Sequence, residues 1–321
     1  MGSIDLQKLL LIGSAGFVGT NYLLKSGLIN NYRTTLAWHN EKPLLDGSVG
    51  LDDVKLDMTD RSQCEEVISE FDYVINFSGV IMSAASLQST PLFGLQENLA
   101  VHLNLFKAAY KAKIKKLIWL SSCTAYPELR RPVKESDYYQ GQVPDRYKLV
   151  GQMFRFLESV ADSLLTGHVP VITLRPSGIY GEYDNFDLKS AHALPALIAK
   201  FIDGKGPDLI TTDKAEIRDW IYVGDVVAAV DAALAHIDES IALNVASGYS
   251  VSMYELSHLV IDCLKLQMRP KIMQGDFEPG TSMKREIDCH LSNKLLGPLE
   301  KTPLSKGIKE TIKWYREHTG S

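Results

Sequence analysis

The chain has 321 residues, of which 45% are hydrophobic and 23% are charged, and its formal net charge is −5. This length and apolar content can bury one large core or two smaller ones, whereas the acidic balance without a long basic run argues against a nucleic-acid partner. No stretch approaches the ~20 apolar residues that span a bilayer, and the N-terminus has no signal-peptide cleavage pattern. We therefore expect a cytoplasmic protein with a small-molecule ligand and no membrane partner.

Short apolar runs alternate with helix-like segments over the first 120 residues. The runs are KLLLIG (8–13), TTLAW (34–38), DVKLD (53–57), YVINFS (73–78) and KLIWLSS (116–122). Near-continuous apolar strands divided by helices indicate a parallel sheet covered on both faces. We predict an α/β fold with a doubly wound (Rossmann) domain over residues 1–175. The looser texture after Pro176 predicts a smaller C-terminal α/β substrate region over 176–321, some segments of which return to the Rossmann sheet.

Four cysteines lie far apart in the chain and show no C-x-x-C spacing. Zinc sites and disulfide frameworks are recognised by closely paired cysteines. We therefore expect reduced thiols and no metal site. The cysteines are Cys64, Cys123, Cys263 and Cys289.

A glycine-rich turn follows the first apolar run and opens a helix-like segment. Glycine permits positive φ and lets backbone N–H groups approach a pyrophosphate, whose charge also suits a helix N-terminus. The turn therefore predicts dinucleotide binding. Its residues are Gly13, Ser14, Gly16, Phe17, Val18 and Gly19.

The G-x-x-G-x-x-G spacing of this turn resembles the extended short-chain dehydrogenase/reductase family. Three later stretches match that family in order: LDMTD, NFSG and SSCTAYP. The resemblance implies a homodimer that pairs through a four-helix interface. It also implies further cofactor contacts at Asp57, Met58, Ser78, Gly79, Lys148, Pro176 and Ile179.

The end of the second predicted strand bears on the choice of dinucleotide. A carboxylate there selects NAD by binding the ribose, whereas a cation accommodates the extra phosphate of NADP. This chain places His39 and Asn40 at that point, with no carboxylate before Glu41. The cofactor is therefore NADP or NAD, with NADP favoured.

The family resemblance also implies a catalytic serine, tyrosine and lysine. The serine polarises the substrate oxygen, the tyrosine carries a proton, and the lysine, four residues after the tyrosine, lowers the tyrosine pKa and holds the ribose. Counting four residues back from Tyr126 gives Ser122. An unperturbed phenol is a poor base at neutral pH, so the chemistry needs the lysine on the same helix face.

Tyr147 and Lys148 are adjacent, so they cannot both keep the family spacing. If Tyr147 is the family tyrosine, the lysine position holds Gly151, and if Lys148 is the family lysine, the tyrosine position holds Pro144. The run KLVGQ favours Lys148, and the 25-residue interval after Ser122 favours Tyr147. Pro144 predicts that a helix begins close to Tyr147.

The run DNFDLKSAHALPALI resembles the GDP-fucose synthase branch of the family. The resemblance implies that Asn185 contacts substrate and that His192 is an acid in carbon epimerisation. It also implies that Lys200 and Arg218 bind the substrate diphosphate, for which cations with several donors are suited, and Arg285 is a third candidate. A structural histidine and solvated surface charges are the alternative interpretation.

One departure from this branch concerns the epimerisation base. The branch carries a cysteine two residues after the catalytic serine, where this chain has Thr124, and the thiol of Cys123 lies one residue earlier. A threonine hydroxyl is far less acidic than a thiol with pKa about 8.5. The 3,5-epimerisation is therefore doubtful, while redox chemistry at carbon 4 does not need the thiol.

The sequence thus predicts an NAD(P)-dependent oxidoreductase acting at carbon 4 of a nucleotide-linked sugar, with GDP the favoured nucleotide. Tyr147, Thr124 and His192 are the candidates for moving the proton. A second hypothesis is a nucleotide-sugar 4-epimerase or dehydratase with a non-dissociating cofactor. A third is a non-catalytic dinucleotide or nucleotide-sugar binding protein.

Overall fold

The computed structural model describes residues 6–43, 51–80, 92–203, 209–212, 216–266, 271–274 and 284–319. Strands and helices alternate along most of the first half, as the apolar runs predict, although the strands over 33–38 and 52–55 follow one another with no helix between them among the described residues. The elements there are β1 (Lys8–Ile12), α1 (Phe17–Lys25), β2 (Arg33–Trp38), β3 (Asp52–Lys55), α2 (Arg61–Ile68), β4 (Tyr73–Asn76), α3 (Phe93–Ala112), β5 (Lys116–Leu120), α4 (Lys148–Leu165) and β6 (Val171–Pro176).

In the part of the second half that the structure describes, six further strands lie among five helices. Its elements are β7 (Gly178–Tyr180), α5 (Ala193–Ile202), β8 (Leu209–Thr212), β9 (Ile217–Tyr222), α6 (Val223–His236), β10 (Ile241–Val245), β11 (Ser250–Ser252), α7 (Met253–Leu264), β12 (Lys271–Gln274), α8 (His290–Leu296) and α9 (Leu304–Thr319).

The main sheet has seven strands in the order β10-β6-β5-β4-β1-β2-β3. Every neighbouring pair in it is parallel. The chain moves outward in one direction from β1 to β3 and in the other from β4 onward, so the strand order reverses between β1 and β4. The doubly wound Rossmann fold is confirmed, and the reversal opens a ligand crevice at the carboxyl ends of these strands.

The two faces of the sheet carry separate apolar cores because successive strand residues point to opposite faces. Leu10 packs on one face with residues of α3 and α4 such as Phe106 and Leu157. Leu9 and Leu11 pack on the other face with residues of α1 and α6. Both faces are buried, so the strands read as continuous apolar runs in the sequence.

Two small sheets lie outside the main sheet. β9 pairs with β7 in parallel and with β11 in antiparallel fashion, and β12 pairs with β8. β10 comes from the second half of the chain but pairs with β6 in the main sheet. The domain boundary at residue 175 stays a prediction. None of the helices formed by the described residues has the length and apolar character of a bilayer-crossing segment.

Candidate active site

The glycine turn between β1 and α1 is tightly packed. Gly13 has φ +78°, and a Cβ there would lie 2.6 Å from the backbone N of Ser78. A Cβ on Gly19 would lie 2.1 Å from the Gly13 carbonyl oxygen. Gly16 is the N-cap of α1 and offers no side chain to the first turn. The first N–H groups of α1 therefore stay available for an anionic ligand.

Neighbouring residues hold this turn against β2 and β4. The buried Ser14 hydroxyl donates to the Ala37 carbonyl at 2.9 Å. Asn76 ends β4, and its Oδ1 accepts from the backbone N of Ser78 at 3.2 Å. A Cβ on Gly79 would meet Oδ1 of Asn98 at 3.0 Å. The small residues Ser78 and Gly79 thus line the crevice edge where the sequence places the cofactor.

Two further cofactor positions, Phe17 and Val18, are the first residues of α1. Pro176 ends β6. Ile179 lies in β7, where it packs half-buried against the core on the α1 and α6 side of the sheet. All four therefore lie on elements that start or end beside the crevice.

The ends of β2 and β3 carry the candidate ribose contacts. His39 Nε2 lies 3.6 Å from an Asp57 carboxylate oxygen, and the adjacent Asn40 is exposed. Hydrogen bonds from Thr59, first from its side chain and then from its backbone, lower the pKa of Asp57, and His39 adds to the shift. Met58 turns its side chain into the core, so it offers a ligand only its backbone.

Ser122 and Thr124 lie just beyond the carboxyl end of β5. Ser122 Oγ accepts from the backbone N of Thr124 at 3.1 Å and is 2.8 Å from Thr124 Oγ1. Ser122 therefore caps the short 3-10 turn Cys123–Ala125, and the residue is half-buried. Ser122 thus combines a capping role with the position predicted for the catalytic serine.

The thiol of Cys123 points away from this pair of hydroxyls. Its Sγ donates to the Arg175 carbonyl at 3.0 Å, and the side chain is buried. Burial raises the pKa of the Cys123 thiol well above its usual range, although the Arg285 cation opposes the shift. A thiol in this environment is a poor base, because its thiolate is strongly disfavoured.

A network of buried polar side chains packs against the carboxyl end of β5. The sequence patterns do not predict this network. Arg175 donates to Glu158 at 2.6 Å, and Ser121 donates to the same carboxylate. The Tyr138 hydroxyl lies 3.0 Å from the Ser121 hydroxyl, and its ring lies 3.6 Å from the Arg175 guanidinium carbon. The network fixes the strand end that carries Ser122.

Tyr147 and Lys148 lie at a junction between two helical types. Tyr147 ends the 3-10 turn Asp145–Tyr147, and α4 begins at Lys148, as Pro144 predicts. Tyr147 is half-buried with φ −118° and ψ 13°. Lys148 is 58% exposed, and its Nζ lies 3.7 Å from the exposed Asp145 carboxylate.

Gly151, four residues after Tyr147, has no room for a side chain. A Cβ there would lie 2.5 Å from Val143 Cγ1, 3.1 Å from Ala125 Cα and 3.2 Å from the Thr124 carbonyl oxygen. The close approach of α4 to the Thr124 turn accounts for this glycine. A lysine could not occupy the position, so Tyr147 has no lysine partner at the family spacing.

Two arginines from distant parts of the chain meet beside Tyr147. Arg218 lies in β9, and Arg285 is held beside it because its backbone N donates to the Ile217 carbonyl at 3.0 Å. Arg285 Nη2 donates to the Tyr126 carbonyl at 3.2 Å. The Nε atoms of both arginines are buried and have no hydrogen-bond partner among the described residues.

Neighbouring groups change the pKa of the Arg285 guanidinium. Burial lowers the pKa of the Arg285 guanidinium below its usual range, Cys123 and Tyr147 oppose that shift, and Arg218 adds to it. Buried guanidinium donors without a partner are costly, and an anionic ligand would satisfy them. The sequence singled out both arginines but not Glu216, which accepts from Arg218 and also from Arg146.

The remaining substrate candidates lie around α5. His192 is the N-cap of α5, and loss of solvation followed by the Arg218 cation lowers its pKa. Asn185 donates to Ser190 Oγ at 2.9 Å. Lys200 is exposed two helical turns beyond His192, about 12 Å along the axis. The structure therefore brings together His192, Arg218 and Arg285, with Lys200 at a distance.

All four cysteines are free. Among the described residues, His, Cys, Asp and Glu side chains form no group of three or more that could hold a metal ion.

The comparisons with known proteins agree with this geometry. The model of the family described as "NAD dependent epimerase/dehydratase family" matches residues 9–246. A probable GDP-L-fucose synthase from Oryza sativa is 26% identical over 82% of each chain. A dTDP-4-dehydro-6-deoxy-D-allose reductase from Streptomyces bikiniensis is 24% identical over 98% of this chain and 97% of its own.

The fold is also that of a solved dTDP-glucose 4,6-dehydratase from Streptomyces venezuelae with NAD bound. That structure superposes with a TM-score of 0.82, covers 98% of each chain and is 18% identical. The resemblance inferred from the sequence motifs is confirmed. The chain belongs to the NAD-dependent epimerase/dehydratase family of extended short-chain dehydrogenases/reductases, a family of nucleotide-sugar enzymes.

Proposed function

We propose that the protein is an NAD(P)-dependent oxidoreductase that acts at carbon 4 of a nucleotide-linked sugar, with GDP as the favoured nucleotide. The observation that carries the proposal is the pair formed by half-buried Arg218 and buried Arg285, whose Nε atoms are buried and have no partner among the described residues, with Arg285 near Tyr147. Such donors suit the diphosphate of a nucleotide-sugar. The similarity to GDP-L-fucose synthases supports GDP.

The residues of the glycine turn fit a dinucleotide. Gly13, Gly16 and Gly19 keep the turn free of side chains, and the crevice lies at the strand-order reversal. His39 and Asn40 at the end of β2, with no carboxylate there before Glu41, support NADP over NAD. A bound nicotinamide would supply or accept the hydride.

The chain's own residues would polarise an oxygen and move a proton. Ser122 would hydrogen-bond the oxygen on carbon 4, and Tyr147 would carry the proton. Arg285 would provide the positive charge near Tyr147 that the family lysine provides elsewhere. His192 would assist as an acid or a substrate contact, and Lys148 would reach the cofactor ribose from the start of α4.

We propose this redox step without 3,5-epimerisation. Thr124 stands where the related branch has its cysteine, and the Cys123 thiol is committed to the Arg175 carbonyl. Reduction of a 4-keto sugar needs no base at carbons 3 and 5. The full-length similarity to a dTDP-4-dehydro-6-deoxy-D-allose reductase supports this proposal.

We also propose that the protein is a cytoplasmic homodimer in which α3 and α4 pack against a second copy. Leu103 and Tyr110 on α3 and Phe156 on α4 are exposed apolar side chains that support such an interface. Light scattering during size-exclusion chromatography tests the dimer.

The function is tested by incubating the protein with GDP-, UDP- and dTDP-linked sugars and NADPH or NADH, or the oxidised cofactors, while following nicotinamide absorbance. We expect net cofactor turnover with one nucleotide-sugar, and Tyr147→Phe should slow it by about 100-fold or more, because general acid–base catalysis contributes about that much. Lys148→Met should act mainly on the KM for the cofactor.

Other outcomes separate the competing functions. Sugar conversion with a copurified cofactor and no net absorbance change would favour a 4-epimerase or dehydratase. If the protein binds a nucleotide-sugar without converting it, and Tyr147→Phe does not change the binding, a non-catalytic binding protein is favoured. Gly151 leaves Tyr147 without its usual lysine partner, and this observation supports testing that alternative.

A further inference from the structure

One buried carboxylate links two parts of the candidate site. Glu216 Oε1 accepts from Nη1 of Arg146 at 3.1 Å and also from Nη2 of Arg218. The Glu216 side chain is only 12% exposed. Arg146 precedes Tyr147 in the 3-10 turn, whereas Arg218 lies in β9. A single carboxylate oxygen therefore joins the turn that carries Tyr147 to the strand that carries Arg218.

We propose that Glu216 is a positioning residue that couples the binding of substrate phosphate at Arg218 to the placement of Tyr147. The inference rests on the proposed function, in which Arg218 binds the diphosphate. Arg218 keeps a buried Nε–H without a partner among the described residues, so it can bind a phosphate while it still donates to Glu216. The planar guanidinium holds both acceptors in fixed directions.

The link ends directly at the tyrosine. The Arg146 guanidinium carbon lies 5.8 Å from the centre of the Tyr147 ring, within the range of a cation–π contact. Arg146 is 45% exposed, so its pairing with Glu216 is readily broken when the turn moves. A phosphate that orders Arg218 and Glu216 would hold Arg146, and with it the turn around Tyr147.

The charges predict a second effect of Glu216. Arg146, Arg218 and Arg285 are cations, and Glu216 is the carboxylate that two of them contact. Glu216 therefore offsets part of the positive charge that the diphosphate of a nucleotide-sugar would meet. Removing the Glu216 charge should therefore strengthen the binding of a diphosphate while it breaks the link to Tyr147. A purely structural carboxylate would weaken binding when removed.

The experiment compares wild type, Arg146→Met, Arg146→Lys, Glu216→Gln and the control Arg61→Met, which breaks the exposed Arg61–Glu65 pair on α2. The probe is whichever of GDP, UDP and dTDP raises the melting temperature of the wild type most. Its Kd is measured by calorimetry. Hydrogen–deuterium exchange is followed in the peptide that covers residues 143–150, with and without saturating probe.

We expect the probe to slow exchange of this peptide in the wild type and in Arg61→Met. Arg146→Met should lose about threefold or more of that protection with little change in Kd, as an ion pair of this exposure allows, and Arg146→Lys should restore it. Glu216→Gln should lose the same protection but bind the probe about threefold more tightly.

Each contrary result has a distinct meaning. If the probe binds and Arg146→Met keeps full protection, or Glu216→Gln binds more weakly, the coupling is overturned and the proposed function stands. If none of the three diphosphates binds the wild type, the proposed function itself fails and the coupling falls with it. Arg146 is half-exposed, so its variants should fold, and circular dichroism checks this.

Discussion

At the scale of single residues, the candidate site differs from the GDP-fucose synthase branch at positions that take part in proton transfer there. Thr124 takes the place of a thiol, and Gly151 takes the place of a lysine in the register of Tyr147. Arg285 lies near Tyr147 and Arg218, and His192 lies near Arg218. These residues favour the proposed diphosphate binding and single proton transfer over the deprotonation of carbon.

Asp184, which precedes the substrate candidate Asn185, should make stability depend on pH. It is 7% exposed, and its Oδ1 accepts from the Asn185 backbone N at 2.7 Å while Oδ2 has no partner among the described residues. Burial raises the pKa of Asp184 to about 7. The folded protein therefore binds this proton more tightly than the unfolded chain does, and the contribution is lost as pH rises towards 7.

Asp184→Asn removes this titration and keeps an acceptor for the Asn185 backbone. In urea unfolding, the free energy of unfolding of the wild type should fall between about pH 4 and pH 7, relative to the variant, by up to about 4 kcal/mol, at about 1.4 kcal/mol per pKa unit. Parallel pH profiles for the two proteins would show that Asp184 does not titrate in this range.

At the scale of elements, the contact of α4 with the Thr124 turn positions the site. Gly151 is where the helix approaches Val143 and the backbone at Ala125. Gly151→Ala should lower the free energy of unfolding by up to about 2 kcal/mol, because overpacking costs about 1–3 kcal/mol and alanine recovers roughly 1 kcal/mol in helix propensity. Urea unfolding measures this change.

The matched control is Val143→Ala, which removes the methyl group that the new Cβ would meet. The double variant should be less destabilised than the two single changes added together, by about 0.5 kcal/mol or more. Additive effects would mean that the helix shifts to accommodate a side chain at position 151, and the exclusion of a lysine there would no longer hold.

At the scale of the whole molecule, the fold follows from local sequence patterns. Five apolar runs with helices between them predict a parallel sheet, because strands buried on both faces must be apolar throughout. The glycine turn and Ser122 were also found in sequence, since a fixed element order places strand ends and the first helix at one edge. These features depend on residues close together in the chain.

Other parts of the site depend on contacts between residues that are far apart in the sequence. Glu216 meets Arg146 across 70 positions of sequence, and Arg285 reaches β9 through a backbone bond to Ile217. No periodic pattern in the local sequence predicts such contacts. The lack of space for a side chain at Gly151 likewise cannot be predicted from the sequence, because it arises from the packing of α4 against a separate turn.

The most direct test of the account follows a deuterium label. The protein is incubated in ordinary water with GDP-4-keto-6-deoxymannose and NADPH that carries deuterium at the hydride position, and again in heavy water with unlabelled NADPH. NMR then locates deuterium in the sugar product. We predict deuterium at carbon 4 in the first experiment and none at carbons 3 and 5 in the second. Deuterium at carbons 3 and 5, or none at carbon 4, would contradict carbon-4 reduction without epimerisation.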